Sequence, residues 1–383
     1  MLNQLFNKKE KKVEYIELIY DLIFVYIIGR NNSLLHITEN GFVNRMAFVA
    51  YILCTLAVIQ IWNYTTFYVN MFGRKSVRDH IFLFLNMYLM YFIGQSIQKD
   101  FENYVAQFHI AWGLILVNIG LQYLLEMRNH KADVWNKDIC KRMLIPLFFE
   151  AALVFISGFT EKTAGIIISA VAILSGIVLT MLGRRKSPGG QIDFAHLTER
   201  AMLYVVFTFG EMIIAVASYF SGDGSWSTGT VYFSLMAFLI VVGLFLIYGY
   251  VYDNIIDRDG SFDGMAYMLI HIFIIFALNN ITASLEFMRE EEINLLPKML
   301  FMICSLIIYF VFVFLLKGHA KSACKPTNKF VLTLCFSTAL FILLMVLFRK
   351  AMAVNILISA VYVFSVFIVI YGFYRKEKEE NNE

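Results

Sequence analysis

Proline and charge are both scarce in this chain. It has only 4 prolines in 383 residues, and 16% of its residues are charged, against about 25% in an average soluble domain. The five cysteines, Cys54, Cys140, Cys304, Cys324 and Cys335, form no close CxxC pair, so neither a disulfide framework nor a zinc knuckle is implied. His319 and Cys324 share one basic loop, but two residues do not make a zinc site. No P-loop, HExxH or GxSxG occurs, which removes the sequence signatures of phosphate cradles, zincin proteases and serine hydrolases. The other histidines are scattered and form no cofactor box. No small-residue cleavage site follows the basic start, Met1 to Lys12, so a cleavable leader is not expected. Without a folded basic domain, a nucleic-acid role is not expected either.

What fills the chain instead is apolar. It is 59% hydrophobic, with 37 Phe and 21 Tyr and a mean hydropathy of +0.67. The expected fold is all-α, a polytopic transmembrane helix bundle, with aromatic side chains at lipid and headgroup levels. About twelve spans are read, near 13–35, 45–69, 79–98, 104–126, 142–159, 163–183, 197–220, 228–252, 265–288, 297–317, 327–348 and 351–374. Most reach the roughly 20 residues a bilayer needs. The fifth is the least clearly marked. The last two are separated only by Arg349 and Lys350, so a tight hairpin must join them. With a cytoplasmic N-terminus, this map puts 23 Lys and Arg on the cytoplasmic side and 8 outside. The positive-inside rule therefore favours both termini in the cytoplasm.

The two halves resemble each other. Span 1 carries Glu17 and Asp21 and reaches Gly29-Arg30; span 7 carries Glu199 and Arg200 and reaches Gly210-Glu211. Spans 2 and 8 both end in Tyr-rich stretches. The expected organisation is a basic N-terminus at 1–12, a first six-span repeat at 13–183, a linker at 184–196, a second repeat at 197–374 and a charged tail at 375–383. Parallel repeats of this kind place sites at their interface.

Ionisable groups inside spans direct attention to function, since each costs about 2.5–3.5 kcal/mol to insert. Glu17 and Asp21 are four residues apart and share one helix face, about 6 Å apart along the axis. Such a pair suits a proton relay or cation binding; the structural alternative is a helix-end charge and an ion pair. His196, Glu199 and Arg200 share a face of span 7, either as part of a path or as an interfacial network. Glu211 lies about 18 Å beyond Glu199 by helix rise, near mid-bilayer, and needs a partner or a proton. Arg30 is a candidate counter-ion that could instead snorkel outward. Glu150 sits near mid-depth of span 5, and His271 two turns into span 9, as a candidate pH-responsive partner.

These residues resemble the bacterial low temperature requirement A family. Its first-span pattern, ELxxDLxFVxAI, stands here as Glu17-Leu-Ile-Tyr-Asp21-Leu-Ile-Phe24-Val25-Tyr-Ile-Ile28. Its mid-chain pattern, HLxERxxLxxxxxxGE, stands as His196-Leu197-Thr-Glu199-Arg200-Ala-Met-Leu203 through Gly210-Glu211. Tyr64-Thr-Thr-Phe67-Tyr68-Val-Asn70 is similar to its YTxFYxN segment. Gly29-Arg30 departs from the small residue and Gln usual there. The resemblance implies a bacterial inner-membrane protein connected with growth in the cold.

The function expected is a transporter or channel for protons or a small cation, with coupling to an unknown solute left open. Glu17, Asp21, Glu199 and Glu211 would form the ion or proton path. Arg30, His196, Arg200 and His271 would act as counter-ions or tune them, with Glu150 as a further candidate. The alternative is a non-transporting membrane sensor or scaffold in cold adaptation. No enzyme activity, cofactor or metal is expected. The lipid bilayer is the expected surrounding, and a homo-oligomer is left open.

Overall fold

The computed structural model describes residues 13–98, 101–129, 134–182, 192–220, 226–260, 262, 264–290, 292–321 and 327–380. Among these residues lie twelve α-helices. They are α1 (Tyr15–Asn32), α2 (Arg45–Phe72), α3 (Val77–Ser96), α4 (Phe101–Met127), α5 (Val134–Gly158), α6 (Lys162–Leu182), α7 (Phe194–Ala217), α8 (Thr228–Tyr250), α9 (Gly264–Phe287), α10 (Leu295–Leu315), α11 (Asn328–Leu347) and α12 (Met352–Glu380). Nine of them, α2, α4 and α6 to α12, are long and apolar enough to cross a membrane. The other three are α1, which holds Glu17, Asp21 and Arg30, α3, which opens on Arg78 and Asp79, and α5, which holds Lys137, Asp138, Lys141, Arg142 and Glu150.

The spans expected from hydropathy are each represented by a helix, with two ends clearly moved. Helix α5, expected from residue 142, starts at Val134, and α12, expected to end at 374, runs to Glu380. The hairpin required around Arg349 and Lys350 is present, closed by the Ala351 N–H donating to the Phe348 carbonyl at 2.8 Å. The expected linker at 184–196 and the basic N-terminus lie largely outside the described residues.

Helix starts follow their capping chemistry. Asn44 accepts from the N–H groups of Met46 and Ala47, Ser76 from Asp79, Ser227 from Thr230 and Thr327 from Phe330. Each cap of this kind contributes about 1 kcal/mol. A short hairpin, β1 (Thr38–Glu39) and β2 (Phe42–Val43), joins α1 to α2. Its turn residues Asn40 and Gly41 have φ of 52° and 78°, the left-handed pair that a two-residue hairpin needs.

The chain divides into two compact units: one from the described parts of 1–37, 43–204 and 261–268, the other from 38–42, 205–260 and 269–383. In the first, α4 packs along α5 and α3, α5 along α6, and α1 along α2 and α3. Gly113 and Gly120, two turns apart on α4, face the rings of Phe155 and Phe148 on α5. Helices in lipid associate through such close fits, because lipid tails are as apolar as the side chains themselves. In the second unit, α12 packs on α8 and α11. The Phe341 and Tyr362 rings stack at 4.2 Å, and the Tyr309 hydroxyl donates to the Leu244 carbonyl at 2.8 Å. Helix α8 ends in a π-helical turn, Val251–Ile255.

Large apolar side chains cover the outside. On α11, Leu332 is 69% and Phe336 71% exposed. An apolar surface on this scale has no counterpart on soluble monomers and makes the bilayer the partner of these faces.

The α4–α5 seam makes a first prediction. Gly113→Val sets a branched side chain against Phe155 and is expected to lower stability by about 1–3 kcal/mol. Thermal unfolding of the purified protein reads this, and adding Phe155→Ala should return part of the loss. An unchanged melting temperature in the single variant would show that the seam is not tight.

Candidate functional site

Helices α1, α2 and α7 build one buried charged cluster within the first unit. On α1, Glu17, Tyr20, Asp21 and Phe24 follow the helical period and face inward, with Glu17 2% and Asp21 0% exposed. On α7, His196, Arg200 and Tyr204 recur every four residues and are likewise buried. The start of α7 is set by Asp193, whose carboxylate accepts the His196 N–H at 3.1 Å.

The centre is Arg200. Its Nη2 donates to Asp21 Oδ1 at 2.5 Å, and its Nε lies 3.4 Å from Glu17 Oε2. Asp21 Oδ1 also accepts from Trp62 Nε1 on α2 at 2.8 Å. The guanidinium sits 5.8 Å over the Trp62 ring, in cation–π range, and Tyr204 lies against the other side of the cluster with its ring 4.5 Å from Trp62. Tyr20 hydrogen-bonds Thr65 on α2 at 2.9 Å.

His196 links this centre to the end of α2. The Asp193 N–H donates to Asn70 Oδ1 at 3.0 Å, and Asn70 Nδ2 donates to the Asp193 carbonyl at 2.9 Å. Those two bonds fix which way round the Asn70 amide sits. Its Nδ2 therefore meets His196 Nδ1, at 3.0 Å, as a donor. An amide nitrogen cannot accept, so Nδ1 supplies the lone pair and the ring proton sits on Nε2. That nitrogen is 3.4 Å from Glu17 Oε2. Among the described residues the cluster thus brings together two carboxylates, one guanidinium and one imidazole.

A second polar site lies on α2, α5 and α6, also within the first unit. Glu150 is fully buried. Its Oε2 accepts from the Tyr64 hydroxyl at 2.8 Å and from Gln60 Nε2 at 3.1 Å. Gly176 on α6 leaves the room for this arrangement, since a Cβ there would strike the carboxylate, the amide and the hydroxyl together.

The remaining expected site residues are placed elsewhere. Glu199 is half-buried and makes no hydrogen bond or ion pair with the described residues, although its neighbours in sequence enter the cluster. Arg30 is half-buried and reaches the Ile97 carbonyl at 3.4 Å, and no ion pair joins it to a carboxylate among the described residues. In the second unit, Glu211 is half-buried and its charged neighbour is another acid, Glu286. His271 is fully buried and hydrogen-bonds the Tyr248 hydroxyl at 2.9 Å. Among the described residues no group of three or more His, Cys, Asp or Glu could hold a metal ion.

Sequence reasoning did not single out Trp62, Gln60 or Asp193, and it quoted Tyr64 and Asn70 without giving them a role. Asp193 carried a readable signal, a capping residue three before His196. Trp62 and Gln60 carried none, because nothing in a hydrophobic run says which face of α2 meets α1 and which meets α5.

Comparison with known proteins adds three findings. A family model described as bacterial low temperature requirement A protein matches residues 12–367. A protein of Rhizobium meliloti (strain 1021), described as uncharacterised, is 22% identical over 250 residues, 63% of this chain; the match spans 59% of that relative's length. No solved structure matches.

The cluster makes a prediction about stability. Arg200→Gln removes the cation that Glu17 and Asp21 both meet and is expected to destabilise by about 3–5 kcal/mol. Adding Asp21→Asn to it should recover part of that loss, as a coupled pair requires. Thermal unfolding in detergent measures both, and purely additive losses would dissolve the pair.

Proposed function

This chain belongs to the bacterial low temperature requirement A family, and from that premise we propose that it is a transporter or channel for protons or a small cation. Coupling to a solute is one form the activity could take. The observation that carries this reading is the enclosed cluster of ionisable groups, in which Glu17 Oε2 lies 3.4 Å from both Arg200 Nε and His196 Nε2 and Arg200 Nη2 donates to Asp21 at 2.5 Å. Ionisable side chains shut inside a membrane protein are costly to bury and mark ion and proton paths. Asp21 is held by Arg200 and Trp62 at 2.5 and 2.8 Å, whereas Glu17 faces the His196 ring as well as the guanidinium, so Glu17 is the group assigned to exchange a proton or cation.

The proposed roles follow. Glu17 takes and releases the proton or cation. Asp21 and Arg200 form the fixed pair that keeps the site close to neutral. His196, with its Nε2 proton toward Glu17, is the adjoining relay. Glu211 and Glu286 form a separate acidic neighbourhood in the second unit. The activity is transport, with no covalent chemistry assigned to it.

In this reading all twelve helices cross, including α1, α3 and α5. Their charged residues face partners within the protein: Glu17 and Asp21 meet Arg200, and Glu150 meets Tyr64 and Gln60. The chain would sit in the cytoplasmic membrane with both termini inside and its halves as six-span repeats. A reporter active only outside should work when joined after Gly41, and one active only in the cytoplasm when joined after Lys75. The reverse result would place α1 and α2 the other way up.

Proton flux into proteoliposomes under a potassium–valinomycin potential tests the function. The wild type should conduct and Glu17→Gln should not, while remaining inserted and folded. Equal flux in both would remove Glu17 from the path. No flux in the wild type, with protons or with sodium and potassium gradients, would favour the non-transporting sensor or scaffold.

A further inference from the structure

We propose that Glu150 is a second proton-binding site of this chain, its ligand a proton and not a metal cation. The site is separate from the Arg200 cluster. Gln60 donates to Glu150 and Trp62 donates to Asp21. Two residues along a helix is a turn of about 200°, so the two carboxyl groups lie on opposite faces of α2.

Glu150 is fully buried, yet it meets no Arg, Lys or His among the described residues. Its partners are a phenol and an amide, both neutral and both directed at Oε2. Oε1 is buried with no hydrogen-bond partner. Two neutral donors return far less than the cost of an isolated carboxylate charge in a dry interior. A proton removes that charge, and on Oε1 it leaves both donor bonds intact.

The titratable groups around the site are few. From α2 it faces Tyr64; α6 presents the backbone at Ile173 and Gly176. Helix α4, also packed on α5, presents Gly113 and Gly120 to Phe155 and Phe148, and its His109 meets Ser157 of α5 and Ser169 of α6, about two turns along from Glu150. A metal cation taken from water needs several oxygen ligands around it, whereas the two groups that meet the Glu150 carboxyl, the Tyr64 hydroxyl and the Gln60 Nε2, both point hydrogens at its Oε2.

Infrared difference spectroscopy of the full-length protein in lipid reads the protonation state directly. Wild type minus Glu150→Gln at neutral pH should show the C=O stretch of a protonated carboxylic acid, and raising the pH should convert it to carboxylate bands. Carboxylate bands at neutral pH would overturn the proposal. So would an acid band that forms only when sodium and potassium are removed at constant pH, since a metal ion would then be the occupant. Glu17→Gln should leave the Glu150 band unchanged, so this result stands or falls independently of proton flux. Should Glu150→Gln fail to fold, wild type minus Tyr64→Phe takes its place. Loss of the phenol donor shifts an acid C=O band to higher frequency if the proposal holds, and shifts a carboxylate band if it does not.

Discussion

A guanidinium with no exposure to water must find acceptors for its N–H groups inside the protein, and at Arg200 this demand organises the first unit. Two carboxylates from α1 approach different edges of the guanidinium, and Trp62 from α2 closes both on Asp21 and over the cation. Arginine suits the position because its planar fork presents donors in several fixed directions and keeps its charge when buried; a lysine is a single point charge. Helix α7 is held in register with α1 by these contacts, and its first turn is fixed further by Asp193 and Asn70. The polar groups here are therefore the structural joint between three helices.

Helix α2 connects the two polar sites. Its segment from Ala57 to Asn70 is buried on every side, which for a helix in a bilayer means that protein surrounds it. One face carries Trp62 and Thr65 toward α1, and another carries Gln60 and Tyr64 toward α5 and α6. A central helix of this kind can hold polar side chains that a lipid-facing helix cannot, because its neighbours supply their hydrogen-bond partners.

Around these polar centres the packing is that of a membrane protein. Apolar side chains point outward, and helices approach through small residues, as α4 does at Gly113 and Gly120. Hydrophobicity does not drive helices together in lipid, so tight contact and buried hydrogen bonds carry the specificity. The His109 ring shows the same economy at the α4–α5–α6 junction, where its Nε2 meets Ser169 at 2.8 Å and Ser157 at 3.1 Å.

Much of this was legible in the sequence. The all-helical class, the positions of the helices and the shared inward faces of Glu17 with Asp21 and of His196 with Arg200 follow from hydropathy and from charges set four residues apart on one face. Those are properties of a single helix, and a single helix can be read from its own residues. Which charges meet is a property of two helices, and that depends on rotation and register that the linear pattern does not encode. Hence Glu199 stays outside the cluster that its neighbour Arg200 centres, and Arg30 reaches a backbone carbonyl. For the same reason, Trp62, Gln60 and Asn70 looked like ordinary members of a buried span. The sequence by itself determined that charged groups would be enclosed in hydrocarbon and need partners; only the tertiary structure decided the partners, because pairing depends on which helix faces are brought to within 3 Å of each other.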